Sequence, residues 1–161
     1  MKFDAEVTYG APMAQVWSML RDTQFHEARL RAAHVDAKSV DVLEDGDSFT
    51  SVVEIVHDST KLKLPSMAKR LLPSDSIRAT ISERWDMTTG EGVLAVDLGG
   101  LPVQLEATSR LHDEGESVTR TVRGDLTVTV PMIGKKLEAE AVKQVGEIVA
   151  AEEQAAADYL N

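Results

Sequence analysis

Between residues 35 and 130 the chain reads as six alternating runs of apolar and β-branched residues, and the shortness of most links between them decides what it can become. The runs cover approximately 35–44, 48–57, 76–88, 92–98, 103–112 and 116–130. Asp45-Gly46, Gly90-Glu91-Gly92, Leu98-Gly99-Gly100 and Asp113-Glu114-Gly115 punctuate them. Glycine accepts the positive φ of a tight reversal, so these breaks read as hairpin turns. Parallel neighbours would need crossovers of a dozen residues or more, which leaves an antiparallel meander. One link, 59–75, is longer and carries two prolines; it reads as a short helical or irregular excursion.

Helical patterns flank the meander. Residues 2–9 alternate around Phe3, Ala5, Val7 and Tyr9, adding a seventh strand. Pro12 suits a first helical turn, and Met13, Val16, Trp17 and Leu20 then form one apolar stripe. Thr23 offers a cap to a second short helix carrying Phe25, Ala28 and Ala32. The last element follows VTVPMIG, where Pro131 ends strand pairing and Gly134 offers backbone freedom to reverse direction. If helical from Gly134 to Leu160 it spans about 40 Å. On a wheel of 100° per residue, Leu137, Ala141, Val145, Ile148, Val149, Ala156 and Tyr159 share one face, opposite Lys136, Glu140, Lys143, Glu147, Gln154 and Asp158. Gly146 lies on the polar side and would permit a gentle bend.

Composition narrows the classes of function. With 161 residues, 43% of them apolar, the chain fits a single domain, 1–161, able to bury a substantial core. A formal charge of −10 opposes general affinity for nucleic acid. There is no cysteine, hence no disulfide, thiolate ligand or thiol nucleophile. No run of 18 apolar residues and no secretory pattern occurs, so the expectation is a soluble cytoplasmic protein without stable membrane insertion.

The order strand, two helices, six antiparallel strands and a long final helix resembles the helix-grip fold of the START-like (SRPBCC) superfamily, which includes polyketide cyclases and lipid-transport proteins. The opening MKFDAEVTYGAPMAQVWSML, the strand ending Glu83-Arg84-Trp85 and the join GDLTVTVPMIGKKLE carry the likeness, the last resembling an uncharacterised bacterial branch. The resemblance implies an α+β fold in which a curved sheet wraps the last helix, commonly around an apolar small molecule. It implies no particular chemistry.

By alternation, Val53, Ile55, Ile81, Trp85, Leu105, Ala107, Val122, Leu126 and Val128 face inward, opposite Ala141, Val145 and Val149 of the helix. Many of these are small and only 4% of residues are aromatic, so the expectation is a cavity lined by them; a fully packed core is the alternative. Glu152 falls within the apolar arc, where a buried carboxylate needs a partner. Arg84, Arg120 or Arg123 offers one, making Arg84, Arg120 and Glu152 candidate polar anchors; the competing reading puts Glu152 in solvent beyond the sheet. Glu138, at the inner edge, sits where the helix dipole favours negative charge.

Catalytic patterns are absent. His26, His34, His57 and His112 show no metal-ligand spacing, and His57 and Asp58 point to opposite faces of one strand. There is no GxSxG elbow and no glycine-rich phosphate loop, so neither metal nor cofactor is expected. The segment 60–74 holds four basic residues and no acidic one, beside several leucines; it reads as a lid, or as a transient contact with an anionic membrane or another subunit, leaving oligomeric state open. Three functions follow in order: noncatalytic binding of a small apolar molecule (lipid, isoprenoid or polyketide-like), a cofactor-free cyclase or dehydratase using the same cavity, and a filled-core interaction scaffold.

Overall fold

The computed structural model describes residues 1–61, 66–72 and 76–161. Strand β1 (Lys2–Tyr9) leads into helices α1 (Met13–Leu20) and α2 (Thr23–Ala32). Strands β2 (Ala37–Asp45) and β3 (Ser48–Asp58) follow, then a 3₁₀ turn at Ser59–Lys61 and the four-residue helix α3 (Ser66–Lys69). Strands β4 (Ser76–Asp86), β5 (Glu91–Asp97), β6 (Val103–Asp113) and β7 (Val118–Val128) complete the meander. Helices α4 (Gly134–Lys143) and α5 (Val145–Leu160) end the chain. The seven strands form one antiparallel sheet in the order β1-β7-β6-β5-β4-β3-β2, so the first strand pairs with the last. The lid expected over 60–74 falls partly outside the described residues.

Turn chemistry places the hairpins where the glycines stand. Gly46, Gly90 and Gly115 have φ of 59°, 75° and 91°, a region that a side chain would penalise.

The join between sheet and last helices works differently from the sequence expectation. Gly134 is not among the residues of positive φ; the left-handed residue is Met132, at 70°. What Gly134 supplies is close approach, because a Cβ there would stand 2.3 Å from the Val128 carbonyl oxygen. Glu138 then reaches back and accepts from the Val128 amide at 2.9 Å and from Lys135 Nζ at 3.2 Å. This backbone hydrogen bond leads the causes that hold its carboxyl down at about 2. The residue ties the helix to the sheet rather than merely complementing a dipole.

Two other expectations shift. Asp22, not Thr23, caps α2, accepting from the Gln24 amide at 2.9 Å. The final helix breaks at Gln144, two residues before Gly146. Three residues of the expected apolar face lie outside the core: Ala141 is exposed, Ile148 is 57% exposed and Tyr159 37% exposed.

The core is concentrated at one end of the sheet. Val7, Tyr9, Val16, Trp17, Met19, Leu20, Phe25, Phe49, Trp85, Leu111, Val118, Ala155 and Ala156 form one buried cluster. Trp17 meets Phe49 and Trp85 edge-on, with ring centroids at 6.0 and 5.6 Å, the arrangement aromatic quadrupoles favour. Of the seven aromatic residues, only Phe3 belongs to the other end, so bulk is unevenly distributed along the sheet.

Candidate functional site

Strand parity decides which side chains face the helices. In β4 the buried Trp85 fixes one face, so Glu83 and Ile81 share it while Arg84 points away. In β7 Arg120, Val122, Gly124 and Leu126 face inward, paired with Val7, Ala5 and Phe3 of β1 and Leu105 of β6. Arg84 and Arg123 are exposed on the outer face, which removes Arg84 as an anchor.

Arg120 and Glu152 do converge, within a larger cluster. Arg120 Nη1 lies 3.1 Å from Glu152 Oε1 and 3.2 Å from Glu83 Oε1. Its Nε and Nη2 donate to Ser109 Oγ at 3.2 and 3.0 Å, and its guanidinium lies 5.1 Å from the Trp85 ring centre. Arg29 of α2 donates to Glu83 Oε2 at 3.2 Å and stands 3.6 Å from Glu152 Oε2. The Trp85 indole donates to Glu83 Oε1 at 2.6 Å, and the Tyr9 hydroxyl donates to Glu152 Oε1. Two guanidinium and two carboxylate groups thus neutralise one another in a setting where any one alone would be costly.

The electrostatics follow from that balance. Burial opposes the Glu83 charge, yet Arg120 and Arg29 outweigh it and hold its carboxyl at about 2. Burial also works against both arginines, and Glu83 and Glu152 more than compensate, so each stays protonated more firmly than a free guanidinium. Burial and then Glu152 push the Tyr9 phenol well up. His26 is buried, its Nε2–H donating to the Leu20 carbonyl at 2.7 Å while Nδ1 finds no partner among the described residues. Burial and then Arg29 lower its pKa to about 4, which keeps it neutral at physiological pH.

This cluster marks a boundary along the inner face. On one side lies the aromatic core. On the other, one row across the sheet runs Leu126, Leu105, Val96, Ile81 and Val53. Leu105, Val96 and Ile81 are only half-buried, as are Phe3, Ala5 and Val122, although no water-seeking group is among them. Val53, Ile55, Ala107 and Leu126 are buried beneath the same surface. In the terminal helices no residue between Glu138 and Ala155 is fully buried; Val142, Val145 and Val149 remain half-buried. These helices touch the sheet chiefly along β1 and β7, and α2 beside it. Among the described residues, the inner face of β3 to β6 thus presents partly exposed aliphatic side chains beside a charged, self-compensated border.

Of the expected lining, Val53, Ile55, Ile81, Leu105, Ala107, Val122, Leu126, Val145 and Val149 fall on this inner side. Ala141 does not; it is exposed on α4, ahead of the break at Gln144. Trp85 is sealed in the core, 1% exposed, and covers Gly92 instead of lining a hollow. Glu83, Arg29, Tyr9 and Ser109 were absent from the sequence expectation, although Glu83 lies between two positions already assigned inward. A groove of about 570 Å³ lies elsewhere, lined largely by outward residues such as Asp4, Val93, Glu106, Thr108 and Arg123. Its charges are exposed, the Asp4–Arg123 pair standing open at 3.7 Å, so the buried cluster is the better candidate for a site.

A seven-stranded antiparallel sheet packed against a bent C-terminal helix, with inward polar groups between them, is the START-like helix-grip fold. The chain belongs to the family described as Protein of unknown function (DUF2505), whose model matches residues 4–160. Comparison with curated proteins finds no match. Among solved structures, the chain is similar to a START superfamily protein from Mycobacterium smegmatis, with 14% identity over 98% of both chains and a TM-score of 0.61. It is similar to the di-domain ARO/CYC BexL of the BE-7585A biosynthetic pathway, with 10% identity, 96% of this chain and 45% of that one covered, and a TM-score of 0.60. Norcoclaurine synthase from Thalictrum flavum, in complex with dopamine and hydroxybenzaldehyde, is similar over 99% of this chain and 86% of its own, with 12% identity and a TM-score of 0.56. At these identities the likeness establishes the fold. Among the described residues no helix is long and apolar enough to cross a membrane.

Proposed function

We propose that the chain binds a small, largely aliphatic molecule in the hollow between the sheet and the terminal helices, without chemical turnover. The observation that carries this reading is the half-buried aliphatic surface of Ile81, Val96 and Leu105 on the sheet face turned toward the helices. Apolar surface left uncovered forgoes about 25 cal/mol per Å² of stabilisation, which a bound apolar molecule would recover. The complex of norcoclaurine synthase with dopamine and hydroxybenzaldehyde supports the reading by analogy, since a similar fold there holds small molecules. Exchange with an anionic membrane surface would use 60–74, of which Lys61, Lys69, Arg70 and Leu71 are described and exposed.

The cyclase or dehydratase reading asks for a group poised to exchange protons near neutral pH. The cluster moves its groups the other way: Glu83 is held ionised, Tyr9 protonated and His26 neutral. That favours an anchor over an acid–base catalyst.

Native mass spectrometry of protein purified from its own host, followed by lipid extraction, tests the proposal. The expected result is a reproducible small apolar passenger that is lost in Leu105→Trp, where the indole fills the hollow. A protein that carries no passenger and takes none from the host's lipid extract contradicts it.

A further inference from the structure

Within the cluster the contacts are unequal. Glu152 Oε1 is engaged by Tyr9 and Arg120, whereas among the described residues Oε2 faces Arg29 Nη1 alone, at the longer distance of 3.6 Å. Arg29 and Glu152 are also the accessible pair, each with a side chain 13% exposed, against 4% for Arg120 and 1% for Glu83. Glu152 continues the helical stripe of Val145 and Val149 that borders the hollow. An unfinished donor and an unfinished acceptor therefore stand side by side at its edge.

Resting on the binding reading above, we infer that the ligand's polar end is a neutral hydroxyl, received between Arg29 and Glu152. A hydroxyl can accept from the Arg29 N–H and donate to Glu152 Oε2 with one oxygen atom, completing both. A carboxylate would satisfy Arg29 but face Glu152 with like charge, and an ammonium would do the reverse. Either ion would also unbalance a cluster in which two positive groups meet two negative ones away from water, where an uncompensated charge is costly. The aliphatic lining takes the rest of such a molecule, so the ligand class is a long-chain or alicyclic alcohol.

Calorimetric titration with dodecanol, dodecyl methyl ether, dodecanoate and dodecylammonium separates the two ideas. Dodecanol should bind at least about tenfold more tightly than each of the others, the scale of one hydrogen bond to a charged group. The ether is informative because it accepts from Arg29 but cannot donate to Glu152. In Glu152→Gln the cluster gains net positive charge, so dodecanoate should overtake dodecanol. An ether or an ion that binds the unaltered protein as tightly as dodecanol overturns the hydroxyl assignment alone. Failure of all four probes to bind overturns the binding reading, and the anchor with it.

Discussion

The two ends of the inner sheet face are built from the same strands and yet are packed on different terms. Toward Tyr9, Trp85 and Phe49, large rings interlock beneath α1, α2 and the end of α5, and every member of the cluster is buried. Beyond Glu83 the residues are chiefly Leu, Val, Ile and Ala, with Phe3 the one aromatic, and no residue of the terminal helices between Glu138 and Ala155 is fully buried. The tight packing is thus concentrated at one end, and the proposed hollow lies at the other. The ionic cluster is the seam: it lets a buried core stop abruptly, because the charges satisfy one another where apolar packing ends.

That contrast is open to attack by mutation. The largest losses belong to the packed end and the seam. Phe49→Ala removes a ring held by Trp17 and should cost about 3–5 kcal/mol in urea unfolding, whereas Ile81→Ala, beside the hollow, should cost less than about 2 kcal/mol. Equal costs would mean that both ends are packed alike. Arg120→Leu leaves Glu83 and Glu152 short of a partner and should also cost about 3–5 kcal/mol. A loss within about 1 kcal/mol would show that the cluster is solvated.

Acid titration should expose the seam in two stages. The folded pKa of His26 lies below its unfolded value, so the folded state binds fewer protons and stability falls as pH drops from about 6.5 to about 4. Glu83 likewise has a depressed folded pKa; its contribution is present above about 4.5 and is lost as pH falls toward 2. Each stage is of order 3 kcal/mol. His26→Leu should abolish the upper stage and leave the lower one. A stability profile flat between pH 6.5 and 4 would contradict the buried, neutral histidine.

The smallest effects discriminate most finely, because two glycines lie under aromatic rings at opposite ends. A Cβ on Gly92 would stand 2.7 Å from Trp85, and one on Gly124 would stand 2.1 Å from Phe3. On distance alone Gly124→Ala is worse. Trp85 is locked in the core, however, whereas the half-buried Phe3 ring has the hollow to move into. Gly92→Ala should therefore cost about 2–3 kcal/mol and Gly124→Ala under about 1 kcal/mol. The opposite order would place Phe3 in a rigid environment.

Much of the fold was legible because period-two alternation and glycine turns are local signals, and both ends of the six meander strands follow from them to within about two residues. The site was legible only in halves. Arg120 and Glu152 were identifiable from where they fall on a strand and a helix, but Glu83 was overlooked between Ile81 and Trp85, whose inward parity it must share. Arg29 stands one turn from Phe25 on α2, and Tyr9 continues the Val7 face of β1. Each position could be read alone. Their meeting could not, since residues 9, 29, 83, 120 and 152 come from five separate elements that only the tertiary fold brings together. Nor does any residue type at Gln144 announce the break between α4 and α5.

Methyl-detected NMR during titration with dodecanol tests the contrast itself. Resonances of Ile81, Leu105, Val145 and Val149 should shift together and saturate, while those of Leu20, Leu111 and Val118 stay in place. Shifts spread evenly over both groups, or confined to the packed one, would contradict an open hollow beside a closed core.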